Sequence, residues 1–441
     1  MLKNIFNKSD LQKVSLPEVN NSVTIPKNAS FFKKLLAFSG PGYLVAVGYM
    51  DPGNWATDIA GGSKFGFMLL SVILISNFMA IILQSLALKL GIVTGRDLAQ
   101  ACHENFSKPV SILLWVFAEI AIIATDLAEV IGSAIALKLL FGIPLVIGVC
   151  ITTVDVFALL YLQNKGFRYI EALVIVLIST IAICLGIDII LSKPEITKVL
   201  LGFIPDRNIV FNKEALYISI GILGATVMPH NLYLHSSVIQ TRKYEKTNFG
   251  KKEAIKFGTI DSTLALTFAL FVNAAILIVA AGTFHTNGFT QVAEIEEAHK
   301  MLTPLLGTTL ASILFAIALL ASGQNSTLTG TIAGQIVMEG FLNLKINPFY
   351  RRLITRLIAV VPAVITTIIA GENATGKLLI LSQVVLSFQL SFAVIPLILF
   401  TSKKKIMGEF VNKLWMIILS SIIATIIIAL NCYLLFATFN N

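Results

Sequence analysis

Long apolar runs separated by short polar segments are the main pattern along this chain. Eleven runs reach about 17 residues or more, the length that a helix needs to cross the hydrocarbon core of a bilayer. The pattern therefore predicts an all-α polytopic membrane protein with eleven spans. The predicted spans lie near residues 38–62, 66–90, 110–138, 144–162, 169–191, 215–239, 259–283, 308–340, 353–370, 376–400 and 412–436.

Two of the predicted spans contain a proline in mid-helix. The first span carries GYMDPGNW at residues 48–55, and the sixth carries GATVMPHN at residues 224–231. Because proline lacks a backbone donor and clashes with the preceding turn, each span should break there. Broken backbone is tolerated in hydrocarbon only where protein or a watery cavity surrounds it. The alternative for the first span is a simple kink in which Asp51 pairs with a neighbouring helix.

The two interrupted spans are five spans apart, so they run in opposite senses through the membrane. Interrupted helices at corresponding places in two five-span halves indicate an inverted-repeat transporter, with a binding site where the breaks meet. We therefore predict a flexible cytoplasmic arm at residues 1–35, a ten-helix core at 36–401 and an eleventh helix with a tail at 402–441. Within the core, the two repeats occupy about 36–192 and 213–401.

The two interruptions offer a mixed set of ligands for a cation. Asp51 supplies an anionic oxygen and Asn54 a neutral one. The helix ends around Gly48 and Ala225 supply backbone carbonyls, and Met228 adds a soft thioether directly before the second break. Oxygen ligands alone suit magnesium, calcium or sodium, whereas an added sulfur favours manganese, iron, cobalt or cadmium. The alternative is that the methionine only fills space, as methionine usually does in a membrane helix.

The third span contains three acidic residues, Glu119, Asp126 and Glu129, within apolar sequence. Separations of seven and three residues place them near one face of a helix. Buried carboxylates that face a shared cavity exchange protons, as a proton route requires. Interhelical salt bridges would explain the same residues. Asp155, alone in the fourth span, is interpreted as a structural hydrogen-bond partner.

Five further polar residues lie inside predicted spans. His230 and His235 are five residues apart, which rotates them by about 140° and excludes the two-histidine face of a zinc hydrolase. We interpret His230 as a proton carrier or as the residue that holds the partner of the acid in the first break, and His235 as a core histidine. Arg356 either offsets the acids of the third span or snorkels toward the inner surface. In the tenth span, Gln383 and Gln389 are both candidates to face the cavity.

Composition and charge exclude other classes of protein. Hydrophobic residues make up 56% of the 441 residues and charged residues only 13%, which rules out an ordinary soluble domain. The net charge of +9 reflects topology rather than nucleic-acid binding, because a cytoplasmic N-terminus places about 25 basic residues inside and about 8 outside. We therefore predict a multi-pass protein of the inner (plasma) membrane with an external C-terminus. The four cysteines have no paired spacing and are interpreted as small core residues.

Several short motifs together resemble the Nramp family of divalent metal transporters, in particular its bacterial proton-coupled manganese/iron members. The motifs are DPGN at 51–54, MPH at 228–230, GQNST at 323–327, GQ at 334–335 and MEGF at 338–341. The resemblance covers the chain from about residue 36 onward. It implies a leucine-transporter-like fold of two inverted five-helix repeats, here with an eleventh helix.

The resemblance also implies roles for individual residues. It assigns the metal ligands to Asp51, Asn54, Met228 and the carbonyl of Ala225, joined in some conformations by the carbonyl of Gly48 and by Gln383. It assigns the proton route to Asp51, Glu129 and Asp126, tuned by His230, Arg242 and Arg356, with Glu119 near the inner side. The chain departs from the family pattern at Asn325, where serine is common, and at Gly48, where alanine is more usual. The intact methionine argues against a related magnesium-transporting branch.

We therefore predict a secondary transporter that imports manganese(II) or iron(II) by alternating access and is driven by protons. The metal is the substrate, and the expected partners are metal ions, protons and the lipid bilayer. We expect no resident cofactor, no enzymatic activity and no obligate protein partner. The alternatives are a sodium- or proton-coupled carrier of an organic solute, a passive channel, and an intramembrane hydrolase built on His230, His235 and Asp51. The hydrolase lacks a plausible nucleophile or metal-binding spacing.

Overall fold

The computed structural model is helical throughout its long elements and describes residues 16, 20–26, 29–152, 167–343, 350, 354, 357–358, 361, 364–365 and 375–439. Its helices are α1 (Phe31–Phe38), α2 (Pro41–Gly48), α3 (Pro52–Phe65), α4 (Leu70–Thr94), α5 (Leu98–Asn105), α6 (Lys108–Phe141), α7 (Phe167–Ser192), α8 (Ile196–Gly202), α9 (Asn208–Phe211), α10 (Lys213–Val227), α11 (Pro229–Val238), α12 (Asn248–Thr283), α13 (Ile295–Leu306), α14 (Thr309–Leu342), α15 (Thr375–Thr401), α16 (Lys404–Met407) and α17 (Leu414–Phe439). Residues 145–152 are also helical. Two short strands, β1 (Val23–Thr24) and β2 (Arg242–Lys243), complete the described elements.

The predicted all-α membrane fold is confirmed. Within the described ranges, eight helical segments are long and apolar enough to cross a membrane, and one of them, Lys213–Thr241, joins α10 and α11 across their one-residue break. The predicted first span is not among them because the wider break at residues 49–51 divides it into α2 and α3, each too short to cross alone. The predicted fourth and ninth spans fall largely outside the described residues, as do Asp155 and Arg356. The count of eleven spans therefore stays a prediction.

Both predicted helix breaks are present, and each lies directly before a proline. Residues 49–51 separate α2 from α3, and Met228 alone separates α10 from α11. In an unbroken helix, each carbonyl accepts the N–H four residues later. Pro52 and Pro229 have no N–H, so the carbonyls of Gly48 and Ala225 are released from that pattern. The interruptions therefore leave one equivalent backbone oxygen in each half of the chain.

Part of the N-terminal arm is attached to the core by a parallel strand pair. Val23 of β1 pairs with Arg242 of β2, and Thr24 pairs with Lys243. Further upstream, the backbone N–H of Leu16 donates to Glu339 at 3.2 Å. The sequence predicts a flexible arm because its residues are polar, whereas these two contacts join it to segments more than two hundred residues away. The end of the helical bundle that carries β1 and β2 is called the strand end below.

Glycines allow the broken helices to approach their neighbours closely. A side chain on Gly224 of α10 would overlap the carbonyl of Gln383 and lie 2.7 Å from the backbone nitrogen of Ser387, both on α15. A side chain on Gly53 of α3 would overlap the amide of Gln383 in the same way. Such contacts put α15 directly against both interrupted spans, and they place one glutamine between them.

We expect Gly224→Ala to lower the stability of the protein. The added methyl group has to displace the backbone of α15, and overpacking of this kind costs about 1–3 kcal/mol. The thermal unfolding midpoint of the purified protein in detergent measures the loss. The matched control is Gly186→Ala on α7, where the added carbon would meet nothing within 4 Å. Equal midpoints for the two variants would contradict the importance of the α10–α15 contact.

Candidate metal site

Asp51 begins the second half of the first broken span and caps it. Its side chain Oδ1 accepts the backbone N–H of Asn54 at 2.9 Å and the Asn54 Nδ2 at 2.7 Å. An aspartate followed by Pro52 at the first helical position is a favoured start of a helix. The carboxylate consequently lies at the positive end of a half-helix, which stabilises its negative charge. The sequence around the break thus places an anionic oxygen in the centre of the bundle.

The amide of Asn54 connects the two breaks. Its Nδ2 donates to Asp51 Oδ1 and also to the carbonyl of Ala225 at 3.1 Å. This carbonyl is the one that Pro229 leaves without its helical donor. The NH₂ group therefore satisfies a carboxylate and a carbonyl at once, which a cation at the same place would also do. For a cation to bind both oxygens, the amide has to rotate so that its own oxygen faces the ion.

Met228 forms the second break and has an unusual backbone. Its φ of +35° lies in the left-handed region, which few residues other than glycine adopt without strain. Its sulfur faces the first break, since a Cβ on Gly48 would lie 3.0 Å from Met228 Sδ. Asn231 donates from Nδ2 to Val45 O at 3.2 Å and contacts the same sulfur at 3.7 Å. The thioether is therefore held at the junction of the two spans.

The alanine-to-glycine departure at position 48 has a local explanation. A Cβ there would overlap the side-chain amide of Asn231. Glycine leaves the space that this amide fills beside the sulfur.

Of the two candidate glutamines in the tenth span, Gln383 reaches the site. Its Nε2 donates to Asp51 Oδ2 at 3.3 Å and to Ser382 Oγ at 3.1 Å. Gly53 provides the room for this amide, as described above. The second oxygen of Asp51 is thereby linked to α15, so three separate spans contribute to one cluster.

The side chains and carbonyls named for the metal lie in a closed interior. The exposed fraction is 0% for Asp51, Ala225, Met228 and Gln383, and 1% for Asn54. No group of three or more His, Cys, Asp or Glu side chains able to hold a metal ion occurs among the described residues. A divalent cation bound here would therefore meet one carboxylate, neutral oxygens and one sulfur. Such a set suits a transition metal better than a hard alkaline-earth ion.

The acids predicted in the third span fall into two groups. Asp126 and Glu129 are fully buried on α6 and face Gly330 of α14, where a Cβ would lie 2.8 Å from Glu129 Oε1 and 3.4 Å from Asp126 Oδ1. Glu119 is only partly buried and accepts Trp115 Nε1 at 3.1 Å. Asp126 and Glu129 therefore lie on a common face of α6, as predicted.

The two histidines of α11 face different helices. His230 Nδ1 lies 3.4 Å from Thr125 Oγ1 of α6, next to Asp126. His235 Nδ1 lies 3.0 Å from Gln84 Oε1 of α4. The first histidine is thus beside the buried acids, and the second is a core histidine with an amide partner. They do not converge on one reaction centre with Asp51.

Arg242 is buried at the strand end and pairs with Glu171, an acid that was not predicted from the sequence. Its Nη1 lies 2.7 Å from Glu171 Oε1, and the two side chains are 0% and 3% exposed. The guanidinium also donates to the carbonyls of Phe38 and Ser39. It therefore holds the C-terminal end of α1 against α7. Arg356, its predicted companion, lies outside the described residues.

Two buried polar residues near the candidate metal ligands were missed from the sequence. Asn273 of α12 donates from Nδ2 to Asn54 Oδ1 at 3.4 Å. Asp58 lies seven residues after Asp51 on the same face of α3, is 1% exposed, and has no hydrogen-bond partner within the described part of the chain. Each is a polar residue within an apolar run, and that was the available signal.

Comparison with known proteins identifies relatives over nearly the whole chain. The sequence model of the family described as "Natural resistance-associated macrophage protein-like" (Nramp) matches residues 42–437. A divalent metal cation transporter MntH from Listeria monocytogenes is 65% identical over 424 residues, covering 96% of this chain and 95% of that protein.

Solved structures agree with this relationship. The manganese transporter of Eremococcus coleocola has 43% identity and a TM-score of 0.88, over 95% of this chain and 90% of that one. MhsT, solved with L-phenylalanine, has 15% identity and a TM-score of 0.61, over 88% of this chain and 98% of that one, a likeness of fold alone. The predicted leucine-transporter-like fold class is confirmed, while the count of helices in each repeat stays a prediction.

Proposed function

The chain belongs to the Nramp family, and from that premise we propose that it imports manganese(II) or iron(II) across the plasma membrane together with protons. At the coarser level it is a divalent metal cation transporter and not an enzyme. The observation that carries the proposal is the Asn54 amide, which joins the carboxylate of Asp51 to the released carbonyl of Ala225. Those oxygens and the nearby sulfur form a buried cluster for a dehydrated cation.

The proposed ligands are the side chains of Asp51, Asn54 and Met228 and the carbonyl of Ala225. Gly48 and Gln383 join them as the two breaks move. Met228 distinguishes transition metals from calcium, because a thioether binds soft or borderline ions and binds hard ions poorly. The single carboxylate supplies one full charge, so binding depends on the neutral oxygens and on the exclusion of water.

Protons would be coupled to the metal through competition at Asp51. A divalent cation beside this carboxylate favours its ionised form, so any proton bound there leaves. Asp126 and Glu129 on α6, with His230 beside them, are the buried groups that would accept this proton. We propose that the route continues toward the strand end, where Arg242 lies. Glu119 and Arg356 complete the proposed route.

Alternating access requires that the site open to one side at a time, and closed contacts lie on both sides of it. At the end opposite the strands, Glu294 accepts Gly376 N at 2.6 Å and Thr375 Oγ1 at 2.8 Å, which caps α15. At the strand end, Arg242 and Glu171 form their buried ion pair. We propose that the strand end is cytoplasmic and that these contacts break in turn as the helix groups rock.

We expect Asp51→Ala to abolish metal uptake. The variant loses the only carboxylate of the cluster, and the loss of even one charge-assisted contact lowers affinity by about tenfold or more. Manganese entry into proteoliposomes measures the effect. The control is Asp206→Ala, because that aspartate is exposed in a loop and bonds only locally to Asn208. Uptake equal to that of the unchanged protein would refute the proposed site.

We expect Met228→Ala to lose discrimination against calcium while it keeps most manganese transport. The substitution removes the soft ligand and leaves every oxygen in place. Competition by calcium in the manganese uptake assay measures this change, and Met338→Ala, a buried methionine near the far end of α14, serves as the control. The idea is wrong if calcium competes no better with Met228→Ala than with the unchanged protein.

We expect Glu129→Gln to uncouple proton movement from metal movement. Glutamine keeps the size of the side chain and one acceptor oxygen but cannot take up and release a proton at ordinary pH. The test is acidification of the proteoliposome lumen per manganese ion taken up, which should fall by about tenfold if this acid carries the main route. Glu195→Gln, at an exposed ion pair with Lys198, is the control. Unchanged acidification would remove Glu129 from the route.

A further inference from the structure

A groove at the strand end is not used by the proposed transport cycle. It lies between the end of α4, the first turns of α12 and the segment that joins α15 to α17, and its volume is about 390 Å³. That volume is within the range of small-molecule sites. Apolar side chains form much of its wall, namely Leu86, Ile255, Phe410, Val411 and Met416. Trp415, also in the wall, is 57% exposed, and the neighbouring Leu414 is 72% exposed.

The position of the groove is that of a membrane surface. The apolar helix α4 ends at Thr94 on one side of it, and the apolar helix α17 begins at Leu414 on the other. Exposed tryptophan at the end of a membrane span is typical of the boundary between hydrocarbon and headgroups. The groove therefore spans the depth at which a phospholipid changes from acyl chain to phosphate.

The charges of the groove are mainly positive. Three lysines line it, Lys89, Lys252 and Lys413, and the only lining acid is Glu409. The carboxylate of Glu409 accepts Asn248 Nδ2 at 2.8 Å. No carboxylate lies within ion-pair distance of the three lysines in the part of the chain that the structure describes.

Lys89 is the fixed member of this set. It is partly buried, and its Nζ donates to Asn412 Oδ1 at 2.8 Å. Asn412 is itself held, since its Nδ2 donates to Thr401 Oγ1 at 2.9 Å. An ammonium has three donors, so the neutral amide leaves most of the binding capacity of Lys89 for another acceptor. The ammonium is thus held in place beside an apolar wall.

We propose that this groove binds an anionic glycerophospholipid of the adjacent leaflet, with its phosphate on Lys89 and an acyl chain along the apolar wall. Lys252 and Lys413 at the rim add attraction for the negative headgroup, as basic pockets at membrane surfaces do. A charge-assisted contact to a partly desolvated lysine is stronger than one in open water. A free phosphate would use the lysines and gain nothing from the apolar wall, so the combination favours a lipid.

The test uses the purified full-length protein in a neutral detergent. The probes are short-chain phosphatidylglycerol, short-chain phosphatidylcholine and glycerol phosphate, and the readouts are the thermal unfolding midpoint and the apparent dissociation constant. Phosphatidylglycerol should raise the midpoint, and the other two should leave it unchanged. Lys89→Gln should weaken phosphatidylglycerol binding by about tenfold, and Lys89→Arg should restore it to within about threefold.

The control for general surface attraction is Lys405→Gln. Lys405 is exposed in the same segment and outside the groove, so its loss should change binding by less than about twofold. If Lys89→Gln does not fold, the double variant Lys252→Gln and Lys413→Gln replaces it, and at least a threefold loss is expected.

Three results would overturn the proposal. Equal shifts with phosphatidylcholine would show that the headgroup charge is not recognised. Equal shifts with glycerol phosphate would indicate a phosphate site without a lipid. Equal losses for Lys405→Gln and Lys89→Gln would indicate only general attraction to a negative surface. None of these readouts depends on metal transport.

Discussion

A backbone carbonyl in the middle of a membrane protein needs a donor, and this requirement organises the centre of the molecule. Pro52 and Pro229 each remove a donor from the helix, which releases the carbonyls of Gly48 and Ala225. Water is scarce at that depth, so the protein has to supply polar partners there or bind an ion. The Asn54 amide is the partner that the structure provides for Ala225. The polar residues gathered around the breaks follow from that constraint.

Several features of the site could be predicted because they depend on neighbouring residues in sequence. A proline ends a helix wherever the fold places it, so both breaks follow from a local rule. The candidate oxygen and sulfur ligands could also be named from the sequence, because the residue type determines which ligand atom a side chain offers. These predictions required no knowledge of which helices touch.

The features that could not be predicted depend on packing between distant segments. Gln383 and Gln389 lie in equally apolar sequence, so the residues alone do not distinguish them. The family resemblance names Gln383, and the physical reason for its selection is its contact with Gly53. Arg242 belongs to a basic loop in sequence, yet it is buried against Glu171 because α1 and α7 meet there. The pairing of β1 with β2 likewise involves two residues on each side, too few to give a strand pattern. Long-range contacts of this kind leave no local signal.

The backbone conformation of Met228 limits which residues can occupy the second break. A residue with φ of +35° costs about 1–3 kcal/mol, and branching at Cβ adds to that cost. Valine, isoleucine and threonine are therefore disfavoured at this position before any chemistry is considered. Glycine fits the conformation more easily, but it brings no sulfur. Any substitution that relaxes the backbone at this position would therefore also remove the thioether from the junction of the two interrupted spans.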